Sequence, residues 1–386
     1  MDGIKNLINS NVRRFGMIIA LVGIAILFQF LTNGILLTPL NITNIIMQNS
    51  YVIVLAIGMM LIIITGEIDL SVGSVAAFIG AVSGVLLVSW DLPVFAGILL
   101  CLVFGAIIGA WQGFWVAYVN IPSFIVTLAG MLIFRGLTLV VLQGQTIAPF
   151  PDSFRSLSSA FLPDIFGGEG EIQLFTIVVG IVLSIIYIIN ELRIRRTDLK
   201  YNFKTTTLPL FIVKLILFTA VINVFTYVLA QYEGIPYVLI ILLVLIIGYT
   251  FVMNKTVTGR HIYAVGGNVN AAQLSGVKTK KMKFWVFVNM GVLAALSGMI
   301  FAGRLNAATP QAGNLFELDA IAAAVIGGAS FTGGVGTVFG AVIGALVMGV
   351  LNNGMSLMGI GIDWQQAIKG LVLLAAVAFD VLNKNK

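Results

Sequence analysis

Two carboxylates stand two residues apart in Thr65-Gly66-Glu67-Ile68-Asp69-Leu70-Ser71-Val72-Gly73-Ser74, a segment with a long apolar run on either side. Acids beside hydrocarbon can hold a proton or cation, form a gate, or occupy a polar turn. Within the membrane each costs a few kcal/mol, and at the boundary far less. Gly66 and Gly73 permit a bend, as in a helix broken at depth. Ser71 and Ser74 are candidate caps for the helix that follows. Arg135 is a second oddity, lying 13 residues beyond Pro122 and so roughly 20 Å along its helix. At such depth it pairs or snorkels, and the partners at hand are Glu317 and Asp319. For Lys214 and Lys369, each near a span end, snorkelling is expected.

The stretch 254–283 joins two apolar runs and is long for such a connector. It contains Thr258-Gly259-Arg260-His261, then Asn268-Val269-Asn270-Ala271-Ala272-Gln273-Leu274-Ser275-Gly276, then Lys278, Lys280, Lys281 and Lys283. Asn268 or Asn270 can cap a short helix through Ala271–Ser275, and Gly276 can end it. Such a loop either docks a cytoplasmic partner or lies as a solvated connector on anionic lipid. His261 and Cys101 are the lone members of their types, which excludes a histidine triad, a multi-histidine or cysteine metal site and a disulfide framework. Glycine-rich Thr332–Thr337 lacks the Lys-Ser or Lys-Thr of a phosphate loop and follows no strand, so nucleotide binding by this chain is rejected. Gly105, Gly109 and Gly113 repeat every four residues, as do Gly336, Gly340 and Gly344, giving smooth helix faces for close packing.

These residues must be held by membrane helices. Of 386 residues, 59% are hydrophobic and 9% charged, against about 25% charged in soluble domains, and the mean hydropathy is +1.08. A soluble enzyme, a disordered chain and a nucleic-acid-binding module are excluded, because no soluble fold of this size hides so much apolar side chain. Runs of about 20 residues suffice to cross. They are read at 15–37, 42–65, 70–90, 93–119, 122–142, 173–191, 208–232, 235–253, 284–302 and 363–383, with two shorter pieces inside 318–351. That makes an all-α polytopic bundle of about twelve spans, one membrane domain over 1–386. With both termini cytoplasmic, inner segments hold sixteen of the 21 basic residues, as the positive-inside rule requires. The first run is expected to be an uncleaved helix, and the outer loop 143–172 to carry at most a short surface helix.

Four stretches in this order resemble one family: Gly66–Ser74; Ile121-Pro122-Ser123-Phe124-Ile125-Val126-Thr127-Leu128 with Arg135-Gly136; Gly259–Gly276; and Glu317–Gly328 with its glycine loop and Leu351-Asn352-Asn353-Gly354. The chain is similar to permease subunits of monosaccharide ABC importers of the ribose, xylose and galactose type. Ribose-type permeases have one helix where three runs occur here, so 173–232 reads as a helical pair inserted into a ten-span core. That length is similar to the xylose or multiple-monosaccharide branch.

The resemblance implies a multi-pass protein of the inner membrane with no cofactor, catalytic residue or metal. The implied partners are a second copy of the chain, membrane lipid, an external or periplasmic sugar-binding protein, and a cytoplasmic ATPase with two nucleotide-binding modules. The ATPase would dock on the coupling loop 254–283 through Gly259, Arg260, Asn268, Asn270, Ala271, Ala272, Leu274, Ser275 and Gly276. Glu67, Asp69, Ser71, Asn49 and Asn289 are gate or pathway candidates; Ser50, Asn223 and Asn306 are of the same kind, and all the amides can instead cross-link helices. Arg135 and Asp319 are the buried ion-pair candidate. The alternative function is an ion-coupled secondary transporter using Glu67 and Asp69.

Overall fold

A computed structural model describes residues 2–167, 172–203 and 205–384, with the side chains of 2–15 and 379–384 excepted. Lys204 and Lys386, two of the expected inner basic residues, lie outside the described residues. The helices are α1 (Asp2–Leu31), α2 (Pro39–Ile64), α3 (Val72–Gly84, extended by a π-helical turn Val85–Ser89), α4 (Val94–Ala117), α5 (Ser123–Leu142), α6 (Asp152–Ser159), α7 (Leu174–Lys200), α8 (Leu208–Ala230), α9 (Tyr237–Lys255), α10 (Val257–Gly267), α11 (Val269–Leu274), α12 (Thr279–Leu305), α13 (Phe316–Ile326), α14 (Val338–Leu357) and α15 (Ile362–Lys384).

Among the described residues nine of these are long and apolar enough to cross a membrane: α2, α3 with its extension, α4, α5, α7, α8, α9, α12 and α14. The fold is therefore the all-α polytopic bundle the sequence leads one to expect. α1 contributes a shorter apolar stretch, Gly16–Leu31. α13, with 11 residues, rises only about 16 Å and cannot cross alone.

The chain separates into two compact units. One holds residues up to Leu36, Ile45–Ser159 and Val238 onward; the other holds Leu37–Asn44 and Ala160–Tyr237. In the first, α12 is the spine. Its glycines and those of α4 meet backbone to backbone: a Cβ on Gly109 would lie 2.3 Å from the Phe287 carbonyl oxygen, and one on Gly291 would lie 2.1 Å from that of Gly105. Without a hydrophobic drive between helices in lipid, this close approach supplies the dispersion contact that holds them. Of the Gly336-Gly340-Gly344 repeat, the last two do the same for α14, whereas Gly336 lies in the loop before it, against the Ile64 side chain. Gly340 packs on Gly327 and Gly344 on Ala323 of α13, with Cβ sites 2.0 and 1.9 Å from carbonyl oxygens. α6, expected only as a surface helix, is anchored: Phe154 is buried, and Gly303 of α12 faces the Ser158 hydroxyl.

In the second unit α7 and α8 form a hairpin closed by Gly180 against Thr226 and by an Asn223–Ser184 side-chain hydrogen bond of 2.8 Å. Lys214 does not simply snorkel; its Nζ pairs with Glu191 at 2.8 Å.

The expected Arg135–Asp319 pair does not form. Arg135 Nη1 donates to the Ala312 carbonyl at 2.7 Å, while Asp319 takes Lys369 of α15, whose Nζ lies 3.0 and 3.3 Å from its two oxygens. Lys369 thus pairs rather than snorkels. The geometric reason is that α13 begins in a turn whose free carbonyl reaches the guanidinium first, leaving the second carboxylate of the helix to face α15.

This packing sets the cost of substitution. Gly109→Leu should destabilise the bundle by about 2–4 kcal/mol, read as a lower unfolding temperature in detergent, because backbone cannot retreat. Gly136→Ala, with open space around it, should be neutral or stabilising by up to about 1 kcal/mol. In a double-mutant cycle, Lys369→Met and Asp319→Asn should couple by about 1 kcal/mol or more, and Arg135→Met with Asp319→Asn by less than about 0.5 kcal/mol.

Candidate gate and coupling site

α2 ends where Gly66, at φ +77°, takes the left-handed conformation. The Gly66 and Glu67 amides donate back to Ile63 and Ile62 at 2.9 and 3.2 Å, satisfying the last carbonyls. The chain then runs without helix from Glu67 to Leu70, and protein groups cover it. The Ile68 amide donates to Ser123 Oγ at 3.1 Å. Asp69, 2% exposed, accepts from the Ser71 amide at 2.8 Å and from Ser71 Oγ at 2.6 Å. Gln112 Nε2 of α4 donates to that hydroxyl at 2.7 Å.

The expected capping of α3 by Ser71 and Ser74 is corrected. Ser71 holds the N-cap position but its hydroxyl turns to Asp69, and Ser74 Oγ is buried without a protein partner. Glu67 forms an ion pair with Lys283, in the first turns of α12. The broken segment is thus tied at Glu67 to the end of the long connector and at Ser71 to α4.

That connector is built rather than loose. Thr256 Oγ1 accepts from the Gly259 amide at 3.3 Å to start α10, and Gly259 is required because the Val252 and Met253 carbonyls crowd it. Asn268 ends α10 in an extended conformation and caps α11, its Oδ1 accepting from Ala271 at 3.0 Å. Asn270 makes no such cap. Gly276, at φ +84°, closes α11: its amide reaches Gln273 and that of Val277 reaches Ala272, each at 3.0 Å.

Within the docking set the structure divides two groups. Gly259 and Ala272 are buried, whereas Arg260, Asn268, Asn270, Ala271, Leu274, Ser275 and Gly276 are exposed. Leu274 is 91% exposed. Tyr263 Oη donates to the Gly336 carbonyl at 2.8 Å. Burial pushes its phenol above the ordinary value.

Asn49 and Asn289 are engaged within the protein. Asn49 Nδ2 donates to Ile45 O at 2.7 Å and its side chain fills the space over Gly349. Asn289 Oδ1 accepts from Tyr249 of α9. Asn306 Oδ1 accepts from the Phe150 amide at 2.8 Å. Sequence reasoning missed Lys283 as the partner of Glu67, Gln112 as the support of Ser71, and Tyr263. Gln112 alone left a signal, a lone amide in a nearly unbroken apolar helix.

Comparison with known proteins follows the same lines. The family described as "Branched-chain amino acid transport system / permease component" matches residues 41–377. The xylose transport system permease protein XylH of Haemophilus influenzae is 41% identical over 376 residues, 97% of this chain and 98% of that one. Its counterpart from Escherichia coli K12 is 38% identical over 387 residues, 100% and 95% of the two chains. The ribose import permease protein RbsC of Haemophilus influenzae is 35% identical over 341 residues, 88% and 84%. No solved structure matches. The nine apolar helices and these relatives make the chain a multi-pass protein of the cytoplasmic membrane. It belongs to this family of transport-system permease components, and its work is to pass a solute across the membrane rather than to transform one.

Proposed function

We propose that the chain is the membrane subunit of an ATP-driven importer for a monosaccharide, with xylose the first substrate to test. The observation that carries this reading is the capped, exposed platform of α10 and α11, presenting Leu274 on the end of a membrane bundle that has no nucleotide loop of its own. A leucine 91% exposed outside the hydrocarbon suits the centre of a docking contact, where apolar anchors dominate binding. Arg260, Lys278, Lys280 and Lys281 are exposed on the same connector and suit an acidic rim on the partner. The platform and both termini are assigned to the cytoplasmic side. The partner is a subunit with two nucleotide-binding modules, a second copy of the permease completes the pore, and a periplasmic or external sugar-binding protein delivers the sugar.

Glu67, Asp69 and Ser71 belong to the gate in this reading, and Asn49 and Asn289 brace helices beside it. Residues 173–232 are proposed as a helical pair added to a ten-span core. The compact unit that contains Ala160–Tyr237 supports this. The ion-coupled alternative is not favoured, since Lys283 engages Glu67 and Ser71 engages Asp69.

The direct experiment is uptake of labelled xylose by proteoliposomes holding the permease, the ATP-binding subunit and the binding protein. Uptake should require ATP and persist with an ionophore present; ionophore-sensitive uptake without ATP would end the proposal. Leu274→Glu should leave permease yield unchanged and lower retention of the ATP-binding subunit by about tenfold, the scale of a docking anchor. Ala272 is a poorer probe because it is buried, and so is Gly276 because of its positive φ.

A further inference from the structure

Gly266, near the end of α10, has no room for a side chain. A Cβ there would lie 1.6 Å from the carbonyl oxygen of Ile64, the last residue of α2, and 2.5 Å from the amide nitrogen of Gly334. The Gly334 amide donates to that same Ile64 oxygen at 2.8 Å. A Cβ on Gly333 would lie 2.5 Å from the Gly266 oxygen. One turn earlier on α10, Tyr263 Oη holds the Gly336 carbonyl. The connector therefore rests, backbone on backbone, against both irregular segments of the bundle. One is the break after α2, and the other is the 327–337 loop between α13 and α14.

We propose that this junction of Ile64, Gly266 and Gly333–Gly334 is where movement of the α10–α11 platform is delivered into the membrane, to the two breaks at once. The inference rests on the reading of α10–α11 as the seat of an ATP-binding subunit. Backbone pressed on backbone has no rotamer with which to absorb a displacement, so a shift of α10 must move its neighbours. Both neighbours are equipped to bend. Gly66 lies at φ +77° beside Ile64, and Gly328, Gly333 and Gly334 lie at +83°, +78° and +72°.

Beyond Gly66 the chain is non-helical up to Ser71, so a shift at Ile64 swings the segment that carries Asp69 and Ser71 about Gly66. The Lys283–Glu67 pair ties the far end of the connector to the same break. The middle of the connector, at Gly266, and its far end, at Lys283, thus grip one segment. Gly266 and Tyr263 touch neither nucleotide nor sugar; they are positioning residues.

The test uses the complete complex in proteoliposomes with the sugar-binding protein and compares Gly266→Val and Tyr263→Phe with the wild type. Three quantities are read: retention of the ATP-binding subunit, ATP hydrolysis, and sugar taken up per ATP. Retention and hydrolysis should stay within about twofold, while sugar per ATP falls about tenfold or more for Gly266→Val and about threefold for Tyr263→Phe, the range of a coupling free energy. A fold defect alone lowers yield and not this ratio.

Should Gly266→Val fail to assemble, Tyr263→Phe decides, since it removes one oxygen and leaves the ring packed. An unchanged ratio in Tyr263→Phe overturns the proposal. So does loss of the ATP-binding subunit from either folded variant, which would make these residues part of the docking surface. Uptake by the wild-type complex without ATP is a separate result; it removes the functional reading and this inference with it.

Discussion

Hydrocarbon supplies no hydrogen-bond partner, so every stretch of backbone that leaves the helix within a membrane must be covered by protein. This chain leaves the helix between α2 and α3, at 65–71, and between α13 and α14, at 327–337, and protein groups hold parts of both segments. The first break is covered by Ser123, Gln112 and its own left-handed turn at Gly66. The second is covered by Ile64 and by Tyr263. The glycines of α4, α12 and α14 let their backbones approach neighbouring helices closely.

Charge follows the same constraint. Glu67 is held beside Lys283, Asp319 beside Lys369 and Arg135 beside a carbonyl, while Glu317 is buried with its Oε2 unpartnered. The pairings connect elements distant in sequence, which makes them ties between helices rather than isolated sites. Asp69 is the exception in kind, since hydroxyl and amide donors hold it without a countercharge. A neutral solute asks for no fixed charge of its own.

The family match and the fold divide the labour of identification. Likeness to xylose and ribose permeases says what class of solute the relatives move. The structure shows where the bundle carries a capped, exposed platform, α10 and α11, the proposed seat of an ATP-binding subunit. Capping by Asn268 and closure by Gly276 fix both ends of α11.

Helix identity, approximate ends and the capped connector were legible in the sequence. They rest on local physics: apolar length against bilayer thickness, the Asn268 side chain bonding an amide three residues on, and glycine at positive φ after Ile64, Leu274 and Thr332. Family likeness was legible too, since four short stretches kept their order. Pairing was not legible. That Asp319 takes Lys369 and not Arg135, that Lys283 reaches Glu67, and that Ser71 turns to Asp69 instead of capping α3 all depend on which faces α13, α15, α12 and α4 turn toward one another. Composition and spacing carry no record of that rotation. It emerges only when the glycine faces have met and the remaining polar groups must choose among the partners brought within reach.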